Sequence, residues 1–190
     1  MRDQWFVRGR TPMTKEEVRA VSIAKLDLTP GAVLYDVGAG TGSISIEASR
    51  QLAGGTVYAI ERDPEALSLL EQNRARFGAE AVRLVPEEAP EAFAGLPAPT
   101  HAFVGGSGGR LEEILYGLRE KNPRVRIVVN AAALETLGRL LAWLKKNGVE
   151  ADLCALQASR GRVLGGYHLM EGMNPVYVAA FGGEERGPGL

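Results

Sequence analysis

The chain is poor in the residues that staple a fold or hold a metal. Its 190 residues include one cysteine, Cys154, so no disulfide can form within the chain, which suits a reducing, cytoplasmic compartment. Its two histidines, His101 and His168, lie far apart in the sequence, so no His/Cys cluster with metal-ligand spacing is visible and no metal is expected. Charge of one sign is also lacking: 22 Lys and Arg face 23 Asp and Glu, for a net charge of −1. That balance argues against nucleic-acid partners and anionic membrane surfaces, which need a basic footprint. No apolar run approaches the length of about 18 residues that spans a bilayer. The segment Met1 to Arg10 is polar and lacks the apolar core of a secretory signal. There is no internal repeat and no convincing linker.

What is present reads as an ordinary globular protein, 45% hydrophobic and 24% charged, neither disordered nor of low complexity. This length favours one domain, which buries roughly 70% of its unfolded surface. The expected division is a single domain over 1–182, with 1–31 as N-terminal segment and first helix, and a tail over 183–190. Two features of composition remain: 24 glycines, and 17 arginines against 5 lysines.

Thr14-Lys-Glu-Glu17 has the form of a capping box opening a helix to about Lys25. A turn at Thr29-Pro-Gly31 precedes the short, mostly apolar run Ala32 to Val37, expected to be a strand buried on both faces. Ile44, Ala48 and Leu52 then recur at helical spacing, which predicts a helix up to Gly54-Gly55. Thr56 to Ile60 is a second strand, and Asp63-Pro64 is an N-cap followed by proline at the first helical position. Leu67, Leu70, Asn73 and Phe77 mark the inner face of that helix, which Gly78 closes. Ala81 to Val85, Thr100 to Val104 and Arg126 to Val129 are three further strands, with a helix from Leu111 to Arg119 between the last two. Leu134, Leu137, Leu140, Leu141 and Leu144 form a helical stripe closed by Gly148. Val149 to Ala158 and Pro175 to Phe181 then read as two strands joined by a loop rich in Gly and Arg. Alternating strands and helices followed by two strands predict an α/β fold: a doubly wound, mostly parallel sheet of seven strands with a C-terminal antiparallel pair.

In such sheets ligands bind beyond the carboxyl ends of the strands, where the strand order reverses. The first strand ends in Asp36-Val-Gly-Ala-Gly-Thr-Gly42. Gly38, Gly40 and Gly42 permit a tight turn and close approach of backbone to ligand, and the helix opening at Ser43 directs its first amides to the same place. A phosphate loop needs GxxxxGK[ST], and no lysine follows here. A dinucleotide loop needs a third glycine where Ser43 stands. A purely structural Gly-rich turn is the remaining plain alternative. Glu61, at the end of the second strand, is placed to accept from both hydroxyls of a ribose, though nicotinamide cofactors use an acid there too. Glu87 and Glu88 after the third strand are read either as a nucleoside contact or as a solvated loop.

The stretch Asp36 to Gly42 closely resembles the cofactor loop of class I S-adenosylmethionine-dependent methyltransferases, which carry an acid two positions before GxGxG. Three further segments narrow the resemblance: Pro12-Met-Thr-Lys-Glu-Glu-Val-Arg19, Val104-Gly-Gly-Ser-Gly-Gly109 and Asn174-Pro-Val. In that order, over about residues 5 to 181, they resemble the decarboxylating precorrin carbon-15 methyltransferase family of cobalamin biosynthesis. The resemblance implies a Rossmann-like methyltransferase domain. It also implies S-adenosylmethionine as cofactor, and methylation of carbon 15 of cobalt-precorrin-6 or precorrin-6 with loss of the ring-C acetate carboxylate. Cofactor contacts implied by position are Thr14, Asp36, Gly38, Ala39, Gly40, Thr41, Gly42, Glu61, Glu88 and Ala89. Glu88 stands where the family usually has Asp. His101 begins the fourth strand where the family often has an acid, and is read as a surface residue rather than a base. The family forms homotetramers, and carbon-5 methylation falls to a separate partner in a chain this short.

The implied partner is a polycarboxylated tetrapyrrole. Gly105, Gly106, Ser107, Gly108 and Gly109 precede a helix and are read as an anion-binding nest. Arg110, Arg160 and Arg162 are candidate forks for substrate carboxylates, with a solvated basic loop as the alternative for each. His168 and Asn130 are the candidate catalytic side chains. Asn174-Pro-Val-Tyr177 is similar to the [DN]PPY motif of amino-methyltransferases but falls in the wrong place, so Pro175 is read as opening an edge strand. Two other functions remain open: a methyltransferase of this fold acting on adenine in tRNA, and a non-catalytic nucleoside-binding protein.

Overall fold

The computed structural model describes residues 1–183; the tail expected over 183–190 lies, Gly183 apart, outside them. Five parallel strands form its centre: β1 (Val33–Val37), β2 (Thr56–Ile60), β3 (Val82–Val85), β4 (His101–Val104) and β5 (Arg126–Ala131). Helices α1 (Glu16–Leu26), α2 (Ser43–Ser49), α3 (Pro64–Phe77), α4 (Leu111–Lys121) and α5 (Leu134–Asn147) precede or connect them. Two more strands, β6 (Asp152–Leu156) and β9 (Val176–Phe181), complete a seven-stranded sheet in the order β3-β2-β1-β4-β5-β9-β6. β9 runs antiparallel to both β5 and β6. The sheet is thus mostly parallel, with an antiparallel C-terminal pair, as the pattern of elements predicts.

Strand alternation splits the core into two layers. Leu34, Val57, Ala59 and Phe103 pack with Ile23 and Leu26 of α1, Ile44 of α2 and Leu70 of α3. Tyr35, Val37, Ala102 and Val104 face the other way, onto Leu111, Leu115 and Leu118 of α4 and Leu140, Trp143 and Leu144 of α5. Asp63 caps α3 by accepting from the Glu65 amide, and Gly78 and Gly148 close α3 and α5 in the left-handed conformation.

Five expectations are corrected. Thr14 and Glu17 form no capping box: Lys15 is the N-cap and no side chain caps the helix. Glu17 is instead drawn to Arg160, whose guanidinium donates to it at 2.7 and 2.9 Å. α2 ends at Ser49, short of Leu52. The Leu stripe of α5 is only half a core face: Leu134 and Leu141 are exposed, and Trp143 takes the buried position. The Gly/Arg-rich loop is a β-hairpin, β7 (Ser159–Leu164) with β8 (Tyr167–Gly172), paired as a separate two-stranded sheet. Last, Pro175 does not open an edge strand, because β9 is paired on both sides; it lies one residue before the strand begins, where its missing N–H costs no ladder bond.

The N-terminal segment is tied down by a buried cation. Arg19 of α1 is fully buried and donates to Asp3 Oδ1 (3.1 Å), Glu47 Oε2 (2.6 Å) and the carbonyls of Met1 and Thr14. The other Asp3 oxygen accepts from Arg160 of β7 at 3.0 Å. Arg19→Met would leave a nearly buried Asp3 carboxylate short of its main counter-charge. It should cost about 3–5 kcal/mol of stability, measured as a fall in the urea midpoint without a change in slope.

Candidate active site

β1 lies between β2 and β4, so its carboxyl end is where the chain's winding reverses and a crevice opens. The loop after it is shaped by two close approaches. Gly38 has φ +71°, and a Cβ there would lie 2.5 Å from the Gly106 carbonyl oxygen in the loop after β4. Gly42 has φ +76°, and its Cβ would meet Leu70 Cγ at 2.8 Å. The loop's amides are also committed. Those of Gly38 and Ala39 donate to the Ile60 carbonyl (3.0 and 3.1 Å), and that of Gly42 to Ala39. The Gly40 amide donates to Glu61 Oε2 at 2.9 Å. These amides are therefore not free to cradle a pyrophosphate.

Two cavities flank the loop, of about 250 Å³ and about 300 Å³. They share Pro12, Gly38, Gly40 and Gly105, which form a neck between them. The first is lined by Thr14, Asp36, Ala39, Thr41, Phe103 and Asn130 among others. Two of these residues carry a buried polar atom with no partner among the described residues, Asp36 Oδ1 and Thr41 Oγ1. Asp36 is fully buried, and burial pushes its carboxyl up to about 7, against the Ser45 hydroxyl that donates to Oδ2, with the Glu61 charge adding to the rise. A cationic group bound in this cavity would favour the ionised form of the carboxyl beneath it.

The second cavity is lined by Glu61, Arg62, Glu88, Ala89, Gly106 and Ile114 among others. Glu61 Oε1 accepts from the amides of Arg62 (2.8 Å) and Asp63 (2.9 Å), so its carboxylate is held by the loops after β1 and β2 and lines the second cavity. Glu88 does not reach inward alone: Arg62 donates to it at 2.6 Å across the cavity's outer side.

The residues read as substrate contacts are divided by the fold. Gly105, Gly106 and Gly108 line the second cavity. The Gly105 and Gly106 amides, however, both donate to the Val37 carbonyl (3.0 and 3.3 Å), which removes them from an anion nest, and the Ser107 carbonyl accepts from Arg110. The Gly109 carbonyl accepts from Arg139 of α5 at 2.6 Å. Arg110 is engaged by Glu91 (2.6 and 2.7 Å) and by Glu113 (2.6 and 3.0 Å), which holds its guanidinium above the usual range. Arg160 is likewise held by Glu17 and Asp3. Arg162 and His168 are exposed on the hairpin and line neither cavity. Asn130, at the end of β5, does line the first, and its amide nitrogen donates to Ser22 Oγ at 3.0 Å. His101 is buried rather than at the surface. Its ring contacts Thr100 Oγ1 at 2.8 Å and the Asp27 carbonyl at 3.3 Å, which fixes it as a structural link between β4 and the end of α1.

Sequence reasoning missed the strap Thr11 to Lys15, apart from Thr14, as a wall of both cavities. It also missed Phe103 and Val176 as lining. Periodicity carries no signal for such residues, because they meet the site only through the path of the strap and the sheet order. No helix among the described residues is long and apolar enough to cross a membrane.

A family model described as the precorrin methyltransferase domain matches residues 4–181. A protein of Salmonella typhimurium named cobalt-precorrin-6B C(15)-methyltransferase (decarboxylating) is 42% identical over 188 residues, covering 97% of each chain. A solved structure from Geobacter metallireducens, titled precorrin-6y C5,15-methyltransferase, superposes with a TM-score of 0.90 at 37% identity, covering 96% of this chain and 97% of that one. Another, from Methanobacterium thermoautotrophicum and titled precorrin 8W decarboxylase, gives 0.89 at 36% identity, covering 96% and 99%.

The raised Asp36 carboxyl makes a signed prediction. The folded state holds this proton more tightly than the unfolded chain, so the group's contribution to stability is fully present below the unfolded value near 4 and is lost as pH rises through about 7. Asp36→Asn removes the penalty. Its denaturation midpoint should exceed that of the natural protein at pH 8, and the gap should close toward pH 4. A gap independent of pH would contradict the assignment.

Proposed function

This chain belongs to the precorrin methyltransferase family, and from that premise we propose that it is an S-adenosylmethionine-dependent enzyme of cobalamin biosynthesis. It methylates carbon 15 of cobalt-precorrin-6B, or of the metal-free counterpart, and releases the ring-C acetate carboxylate as carbon dioxide. Residues 1–182 act as one methyltransferase domain in the cytoplasm. The observation that carries this reading is the pair of cavities joined at a glycine neck, with the Glu61 acceptor in one and the unpartnered Asp36 Oδ1 in the other. A nucleoside at one end and a cationic amino-acid group at the other match that division of polar groups.

When bound, the cofactor supplies a methyl group activated by a sulfonium. Glu61 holds the ribose hydroxyls; Ala89, with Glu88 beside it, walls the adenine side. Gly38, Ala39, Gly40, Thr41 and Gly42 form the surface between the two ends, and Thr14 and Asp36 meet the amino-acid end. The tetrapyrrole enters over Gly105 to Gly109. Its reacting carbon is electron-rich, and its conjugated ring accepts the electron pair left as carbon dioxide departs, a proton from solvent then taking the place of the lost carboxylate. The chain's part is therefore positioning and exclusion of water, on the order of several kcal/mol. Asn130 is the polar side chain at the end of β5 best placed to orient the reacting region. The same reading makes the protein a homo-oligomer, a tetramer by family. It is supported by the hairpin, whose Val163, Leu164, Tyr167, Leu169 and Met170 are all at least half exposed, an apolar ribbon that a second copy would cover.

Incubation with cobalt-precorrin-6B and S-adenosylmethionine should yield, by mass spectrometry, a product with one methyl gained and one carbon dioxide lost; methylated tRNA in its place would overturn the reading. Glu61→Ala should weaken S-adenosylmethionine by about 1–3 kcal/mol in calorimetry, and unchanged affinity would remove Glu61 from the site. A Tyr167→Asp, Met170→Asp double variant should sediment as a smaller species than the natural protein.

A further inference from the structure

An acid-bearing ligand that enters a cavity floored by Asp36 needs a cation opposite. Only two cations line the cavities among the described residues, Arg62 in the second and Lys15 in the first. Arg62 is paired with Glu88 at 2.6 Å. Arg110 and Arg160, the arginines that composition brings forward, are each neutralised by two carboxylates within 3.0 Å. Lys15 is exposed, makes no ion pair among the described residues, and stands beside Thr14 on the first cavity. Its backbone is fixed while its side chain is not. It is the N-cap of α1, and its carbonyl accepts from the Arg19 amide at 2.8 Å, so the anchor that holds Arg19 also fixes where the ammonium can reach. Among the described residues, the cavity it faces is lined by no other lysine or arginine.

Resting on the function proposed above, we infer that Lys15 is the cation through which the first cavity takes a carboxylate. A carboxylate could come from the methionine end of the cofactor or from an acetate or propionate of the tetrapyrrole, and both present the same chemistry to an ammonium. Lys15 is a binding residue on either source, and the positive end of α1 adds to its field.

The test compares Lys15→Met, which keeps the length of the side chain and removes its charge, with Lys15→Arg. Calorimetry with S-adenosylmethionine and with its decarboxylated analogue is paired with KM for cobalt-precorrin-6B. If the methionine carboxylate is the partner, Lys15→Met raises the Kd of S-adenosylmethionine about tenfold and leaves that of the decarboxylated analogue unchanged. If a substrate carboxylate is the partner, the Kd for both cofactor forms is unchanged and KM rises about tenfold. In either case Lys15→Arg recovers most of the loss. Unchanged Kd and KM, or an equal loss for both cofactor forms, would overturn the inference. Failure of the natural protein to bind S-adenosylmethionine at all would instead refute the function on which it rests.

Discussion

The contact between Gly38 and Gly106 is the constraint on which the site depends. Two backbone segments, one after β1 and one after β4, approach so closely that a single Cβ on Gly38 would overlap the Gly106 carbonyl. Because β1 and β4 are neighbours in register, both loops leave the sheet at the same level. Without side chains between them they form a neck rather than a plug. The space above the sheet is thereby divided into two cavities that share Pro12, Gly38, Gly40 and Gly105. A ligand long enough to occupy both must be narrow in the middle and differ in polarity at its ends.

The second constraint is the buried Arg19, which builds the other wall. It gathers Asp3, Glu47 and the carbonyls of Met1 and Thr14 around one guanidinium, and so lays the strap Thr11 to Lys15 across the loop. Arg160 reaches the same Asp3 from the hairpin. A charge this deep is favourable only when its donors are nearly all satisfied, which makes the network a register pin for the strap. The cost of burial at Arg19 and the exposed ammonium at Lys15 therefore belong to one arrangement: four residues apart on the same helix start, one fixes the chain and the other is left free for solvent or ligand.

Much of this was legible in the sequence, for identifiable reasons. The strand-loop-helix order, the glycines at Gly38, Gly40 and Gly42, the acid at Glu61 and the cap at Asp63 are local signals. Each depends on residues within a few positions, where backbone sterics and period decide the outcome. The capping box at Thr14 failed because Glu17 found Arg160, a partner 143 positions away that no window contains. The stripe of α5 failed at Leu134 and Leu141 because the sheet covers only one side of that helix, with Trp143. Arg110 and Arg160 look available as an excess of arginine, yet each is matched by carboxylates brought to it by the fold.

The sequence by itself determined the class of fold, the place of the crevice and the family, since all three follow from the order of strands and from short motifs whose chemistry is local. Tertiary structure alone decided which charges remain uncommitted. Pairing depends on distances across elements, and at a few ångströms from a carboxylate an arginine is a strut, while a lysine with no ion pair on a cavity wall remains able to bind.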